Sequence, residues 1–513
     1  MKLLKAMATV AGLTGVSRIL GFVRDILTAA VLGAGPIADA FFVALKLPNF
    51  FRRVTAEGAF SVAFVPLYSK TMEEEGQERA SVFASNAFAV MLLILVPFTL
   101  VALWAMPYII YALAPGFHDD PVRYDLAVEL SRITFPYLLL MSMTALLGGV
   151  MNAHDKFAPF ASAPIFFNLC LIIGLLVFTK FSETAGHGMA YGIAMAGIVQ
   201  FLWLVWAIKK AKIKIRIKKP EFTPKIKQTF KLMGPGVIGA GVMHINLFAD
   251  LVIASLLSAG SISYLYYADR LNQLPLGMVG IAVGTALLPM LSRSIAAGER
   301  AETQNLFNRA LEICLLLALP AAVALFVIPE TLIGTLFERG AFEKEDTLVT
   351  ATVLMGYAIG LPAYVAVKVF STAYWSREDT MSPVKISIIT TVLNIALSLI
   401  LIIPFGVAGI AMATGLMGWL QLALLYRGLK TKTDITFDGR FKKAISKVAL
   451  SSLIMAVVLL IGDKYIDFSD WSKILTLLAL VLLGLISYGL SIITTKAVDI
   501  NELKNYLPKK KST

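Results

Sequence analysis

The chain has 513 residues, 58% hydrophobic and only 15% charged. Soluble domains carry about 25% charged residues, so the composition excludes a soluble enzyme, a disordered chain and a nucleic-acid binder. The formal charge of +13 then fits lysine and arginine gathered in the loops on one side of a membrane.

A spanning helix needs about 20 mostly apolar residues. In chain order, suitable segments lie near 8–33, 37–68, 82–113, 126–152, 158–180, 187–208, 229–258, 262–292, 305–336, 347–374, 383–403, 407–427, 443–462 and 473–495. This predicts an all-α polytopic membrane protein with 14 transmembrane helices. The first segment does not read as a cleaved signal peptide. It carries Arg18 and Arg24, runs on to Leu32 and lacks a small-residue cleavage site. Charges and prolines interrupt the second and eighth segments. Cys170 and Cys314 sit far apart in apolar runs and read as buried thiols.

An even number of spans puts both termini on one side. The loops of that side hold most of the cations, with the densest block at Lys209, Lys210, Lys212, Lys214, Arg216, Lys218, Lys219, Lys225 and Lys227. Both termini are therefore expected to be cytoplasmic. The block reads first as a topogenic linker, and second as a dock for anionic lipid or substrate.

The chain also repeats itself. Residues 25–35, DILTAAVLGAG, resemble 250–260, DLVIASLLSAG, and residues 59–70 resemble 282–293 with Pro66 matching Pro289. The offset spans six helices, an even number, so the repeats are parallel and related by an axis along the membrane normal. The expected domains are a six-helix lobe at 1–210, a basic linker at 211–228, a second six-helix lobe at 229–430, and two further helices with a basic tail at 431–513. Two lobes facing a midplane cavity is a transporter architecture.

Charges inside spans cost about 2.5–3.5 kcal/mol each on insertion scales. The first two segments nevertheless hold Arg18, Arg24, Asp25, Asp39, Lys46, Arg52, Arg53 and Glu57, and the seventh and eighth add Asp250, Asp269 and Arg270. Asp39, Lys46 and Arg53 are spaced seven apart and share a helix face, and Glu57 lies four residues beyond Arg53. Cations outnumber acids in the first lobe, and arginine binds phosphate oxygens through a planar fork. A phosphate or pyrophosphate group is the expected ligand. The alternative for the shallower residues is snorkelling to headgroups. A second set, Asp250, Asn394, Ser398 and Thr414, offers oxygen ligands to Na⁺ or H⁺, with interhelical hydrogen bonding as the alternative. The chain has no P-loop, no HExxH and no nucleophile elbow, so no catalytic residue and no cofactor is expected.

Residues 17–25 (SRILGFVRD), 38–44 (ADAFFVA), 47–53 (LPNFFRR), 56–61 (AEGAFS) and 267–277 (YADRLNQLPLG) resemble the MurJ/MviN family of lipid II flippases, within the multidrug/oligosaccharidyl-lipid/polysaccharide exporter superfamily. The resemblance covers the full length. It implies flipping of the undecaprenyl-pyrophosphate-linked peptidoglycan precursor across a bacterial inner membrane by alternating access, for cell-wall synthesis. It implies a cavity lined by Arg18, Arg24, Arg52 and Arg270, with Asp39, Arg53 and Glu57 in gating or support. Asp25, Lys46 and Asp269 join that supporting set. The last two helices would form a groove for the lipid tail. Lipid II, membrane phospholipids and the cell-wall synthesis machinery are the implied partners, with Na⁺ or H⁺ coupling or the membrane potential as driving force. Where the family can show a further acid in the eleventh helix, this chain has Ser398. The rival readings are a flippase for another polyprenyl-linked oligosaccharide, a cation-coupled multidrug exporter and a membrane glycosyltransferase.

Overall fold

The computed structural model describes residues 2–51, 60–216, 218–282, 287–433, 435–466 and 473–497. Among them every regular element is helical. Ten of the helical segments are long and apolar enough to cross a membrane. Among these ten the most apolar, Met381–Phe405, is also the least buried, whereas Lys344–Trp375 is less apolar and mostly buried. That inversion is expected where the solvent is hydrocarbon and polar groups must be satisfied inside the protein.

Contacts divide the chain into two compact units, Met1–Ser263 with Arg339–Glu343, and Tyr264–Glu338 with Lys344–Thr513. The first unit contains α1 (Lys2–Leu32), α2 (Pro36–Phe51), α3 (Ser61–Trp104), α4 (Met106–Leu113), α5 (Pro121–Thr134), α6 (Tyr137–Ala153), α7 (Ala158–Ala161), α8 (Ala163–Leu176), α9 (Ala185–Lys210) and α10 (Pro224–Ser255). Its buried centre is α5 with α6. Helix α5 packs on α2 and α9, α6 on α3 and α9, α1 on α8, and α10 on α3.

Helix α11 (Ser261–Ala282) begins in the first unit and continues into the second. The second unit adds α12 (Leu288–Ala296), α13 (Arg300–Val327), α14 (Pro329–Phe337), α15 (Lys344–Trp375), α16 (Met381–Phe405), α17 (Val407–Lys432), α18 (Gly439–Tyr465) and α19 (Lys473–Thr495). Here α15 is central and packs on α13 and α17, while α18 packs on α13 and α19.

The elements depart from the expected spans at three places. The described parts of the second expected span, 37–68, belong to α2 and α3, and residues 52–59 lie outside the described residues. The polar stretch after it is helical rather than a loop, because Glu73, Glu74 and Glu75 favour helix and Lys70 pairs with Glu74 one turn on. Helix α3 then breaks at Gly76, where φ is 88°. The fourth expected span is interrupted at Phe135–Pro136, between α5 and α6, since proline has no N–H to continue the ladder.

Gly33 and Gly360 illustrate close approaches that depend on glycine. Gly33 has φ +64°, and a Cβ there would lie 2.2 Å from the Ala341 carbonyl oxygen. The N–H of Ala341 in turn donates to Ala30 O at 2.8 Å, so segment 339–343 is clipped to the end of α1. In the second unit, a Cβ on Gly360 of α15 would lie 2.5 Å from the Gly415 Cα of α17. Small residues let the two backbones meet.

Glu338 ties three elements together. It accepts from Lys473 Nζ at 2.9 Å and from Thr347 Oγ1 at 2.9 Å. Burial pushes its carboxyl up, but the hydrogen bonds of Lys473 and Thr347 and the charges of Lys473 and Lys344 outweigh it and hold the group below the ordinary glutamate range. Its stabilising contribution is thus complete above that range and is lost as pH falls through the lowered value.

Two outcomes follow for protein in detergent. Gly360→Val overpacks the α15–α17 contact and should cost ~1–3 kcal/mol, lowering the unfolding temperature. Gly12→Ala, at a site with no heavy atom within 4 Å, should not lower it. Glu338→Gln should flatten the drop in unfolding temperature on acidification below about pH 5, seen by comparing melting curves of the two proteins across pH.

Candidate functional site

The first ionic centre is built on α1. Arg24 and Asp25 are both buried, with 7% and 3% of their surface exposed. The guanidinium reaches Asp25 Oδ1 through Nη2 at 2.6 Å and Nε at 3.2 Å, and donates from Nη1 to Asn168 Oδ1 of α8 at 2.9 Å. Asn168 spends its amide N–H on the Ser17 carbonyl, 2.9 Å away, and on Ser17 Oγ at 3.3 Å. The asparagine therefore grips α1 on both sides of Gly21 and orients the arginine. The ring of Phe167 lies 5.8 Å from the guanidinium carbon. Arg18, six residues earlier, is exposed. The helix thus carries one arginine held inside the unit and one on its surface.

The second centre is Asp39, fully buried at the start of α2. Its carboxylate accepts from Gly260 N at 2.7 Å, Ser263 N at 2.9 Å and Ser263 Oγ at 2.6 Å. These donors stand at the N-terminal end of α11, where unsatisfied N–H groups and a partial positive charge suit an anion. Asp39 is a helix cap supplied by another helix. The neighbouring α10 ends on the same part of the unit. Arg123, paired with Asp120 at 2.7 Å, donates to the Leu257 carbonyl at 3.4 Å, and Gly116 N donates to Ser255 Oγ at 3.2 Å. Lys46, seven residues after Asp39, is half-buried. Arg52, Arg53 and Glu57 lie outside the described residues.

In the second unit Arg270 is half-buried. It donates to Tyr266 Oη at 2.7 Å, with its guanidinium 4.6 Å from that ring. Asp269 accepts from Gln273 one turn on. Lys368 in α15 is also half-buried, and its ammonium donates to the Leu276 carbonyl beside Pro275 at 3.2 Å. Of the oxygen-bearing set, Asp250 belongs to the first unit, and Asn394, Ser398 and Thr414 belong to the second. The Ser398 and Thr414 hydroxyls are buried without a hydrogen-bond partner. Among the described residues no cluster of three or more His, Cys, Asp or Glu side chains is suited to a metal ion. Cys170 and Cys314 are buried free thiols.

Sequence reasoning missed Asn168, Ser263, Arg123 and Lys368. Lys368 carries the same signal as Arg24, a cation within an apolar span, and the criterion applied throughout would have found it. Asn168 is a lone amide in the run FFNLCL. Arg123 and Ser263 stand in short loops or at a helix start, and only tertiary contacts reveal them. Glu312, an acid without an evident role in the sequence, pairs with Arg309, which also holds Asp438 at 2.5 Å. That network fixes the start of α18 and is structural.

The family model described as "Lipid II flippase MurJ" matches residues 28–495. A "Probable lipid II flippase MurJ" of Rhizobium meliloti (strain 1021) is 40% identical over 507 residues, covering 98% of this chain and 94% of the relative. One from Rhizobium tropici is 38% identical, covering 100% of this chain and 98% of the relative. Among solved structures, "Lipid II flippase MurJ, inward closed conformation" superposes with a TM-score of 0.79 at 30% identity, covering 95% of this chain and 98% of that one. An inward-facing multidrug resistance MATE family transporter of the MOP superfamily gives a TM-score of 0.68 at 15% identity, covering 81% and 94%. That likeness shows the fold alone.

The Asp39 cap yields a direct check. Asp39→Asn replaces an acceptor-only carboxylate with a group that also presents donors, and should cost ~1–3 kcal/mol of local stability. Amide exchange at residues 260–263 should accelerate in the variant, measured by hydrogen–deuterium exchange mass spectrometry.

Proposed function

The chain belongs to the lipid II flippase MurJ family, and from that premise we propose that it carries the lipid-linked peptidoglycan precursor from the cytoplasmic to the periplasmic leaflet of a bacterial inner membrane by alternating access. The observation that carries the reading is Arg24, a guanidinium deep in an apolar helix, balanced by Asp25 and aimed by Asn168. Holding an arginine there is costly. A pyrophosphate cargo supplies the reason, because its oxygens accept bidentate, charge-assisted hydrogen bonds. Arg18, Arg52 and Arg270 join Arg24 as headgroup contacts. Asp25, Lys46, Arg53, Glu57 and Asp269 support them, and Asp39 secures α11 when the outer ends of the helices are latched. Lys368 joins the cations of this set.

The architecture in this reading has 14 spans, two six-helix repeats and two extra helices, α18 and α19, whose surface receives the polyprenyl tail. The repeat is supported by helix lengths. Ala185–Lys210 and Val407–Lys432 are equally long and start 222 residues apart. Both termini face the cytoplasm, consistent with the excess of lysine and arginine in the loops of that side. No bond is made or broken, so the protein acts as a carrier rather than an enzyme. Moving one negative charge outward is favoured by about 2.3 kcal/mol per 100 mV. A Na⁺ or H⁺ would reset the empty carrier through oxygen ligands. The unpartnered hydroxyls of Ser398 and Thr414 support Asn394, Ser398 and Thr414 as its site in the second unit, with Asp250 in the first. Phospholipids and the cell-wall synthesis machinery are the remaining partners.

Two measurements test this. Arg24→Ala and Arg270→Ala should each cost ~1.5–3 kcal/mol of headgroup interaction, a loss of roughly tenfold or more in flipping. Neither variant should rescue a strain depleted of its lipid II flippase, at normal protein level. In proteoliposomes, flipping should rise with an inside-negative potential or an imposed cation gradient. Rescue by both variants would remove the arginine site, and indifference to every gradient would remove the coupling.

A further inference from the structure

The basic linker is more than a tether between repeats, because the protein fixes its path. Asn86 of α3, buried to 5% exposure, grips the main chain of Glu221 in both directions. Its Nδ2 donates to Glu221 O at 2.6 Å, and its Oδ1 accepts from Glu221 N at 2.8 Å. Ser85 Oγ accepts from Arg216 N at 3.0 Å. Lys225 donates to Glu75 at 2.6 Å and to Thr71 at 3.1 Å. Leading up to these fixings the chain alternates. Ile213 is buried and Ile215 half-buried, while Lys212, Lys214, Arg216 and Lys218 are exposed. The isoleucines thus anchor the strip, and the exposed cations lie along its outer edge. From 209 to 221 there are seven cations and one carboxylate.

Two aromatic side chains frame the strip. Trp206, 49% exposed, stacks on Trp203 with centroids 4.9 Å apart and carries the Lys210 ammonium 4.6 Å over its ring. Phe222 is 51% exposed. Tryptophan at the end of a span marks the membrane–water boundary. The turn into the strip adds a third observation. Lys212 has φ 58°, and Ile213 N donates to Ile208 O at 3.2 Å, closing the end of α9. Glycine is the residue of least cost in that left-handed position, yet a lysine occupies it.

We propose that this strip is a binding surface for the headgroups of anionic phospholipids, with the phosphates along Lys212, Lys214, Arg216 and Lys218 and the acyl chains beside Trp206. Its placement at the cytoplasmic leaflet rests on the orientation proposed above. Binding itself does not, and is measured on solubilised protein. The full chain in detergent is titrated with phosphatidylglycerol or phosphatidylcholine, and retained lipid is counted by native mass spectrometry. The wild type should retain phosphatidylglycerol at least tenfold more tightly, since each basic residue at an anionic surface contributes about fivefold. The variant K212Q/K214Q/R216Q/K218Q should lose that preference. Lys212→Gly should weaken phosphatidylglycerol about fivefold while unfolding at the same temperature as the wild type or higher, since it relieves the left-handed backbone. Equal retention of the two lipids by the wild type would overturn the proposal. So would an undiminished preference in the folded quadruple variant, or in Lys212→Gly should the quadruple variant fail to fold.

Discussion

A guanidinium in an apolar helix must find its counter-charge and its acceptor within the protein, since hydrocarbon offers neither. Arg24 meets that demand with two partners of different kinds. Asp25 neutralises it from the next position on the same helix, and Asn168 fixes its direction from α8. The asparagine also holds the Ser17 carbonyl, so the same side chain joins α1 to α8 and aims the charge. Charge and packing are inseparable here, because the contact that binds two helices also orients the guanidinium.

Asp39 solves the converse problem. A buried carboxylate without a cation in contact would be costly, but the start of α11 gives it three donors, the Gly260 and Ser263 amides and the Ser263 hydroxyl. Arg123 and Asp120 then finish the end of α10. The start of α11 and the end of α10 are closed by side chains borrowed from neighbouring helices, whereas α5, α9 and α10 start on caps of their own, Asp120, Thr184 and Thr223. Such closures are conditional on the neighbouring helix staying in place.

The sequence made some of this legible and not the rest, for physical reasons. Apolar runs announce membrane helices because lipid imposes one simple requirement along their whole length, and Met381–Phe405 and Lys473–Thr495 were found nearly to the residue. Helix breaks were harder. Gly76 and Phe135–Pro136 interrupt by local conformation, which hydropathy does not register. Arg24 and Asp39 stood out as charges in the wrong solvent. Asn168 and Ser263 did not, because a single amide or hydroxyl costs little in sequence terms and acquires its role from what it faces. Segment 339–343 reads as an ordinary loop. The carbonyl of Ala30 and the missing Cβ of Gly33 help to explain why it belongs to the first unit.

Asn86 holds the linker through the main-chain N–H and carbonyl of Glu221. The fixing is therefore indifferent to which residues the linker carries outward. The cations of 212–218 can be exchanged, added or removed over generations while the path of the chain and the start of α10 stay where they are. The protein has separated the shape of this surface from its charge, so the charge is open to adjustment to whatever membrane the cell maintains.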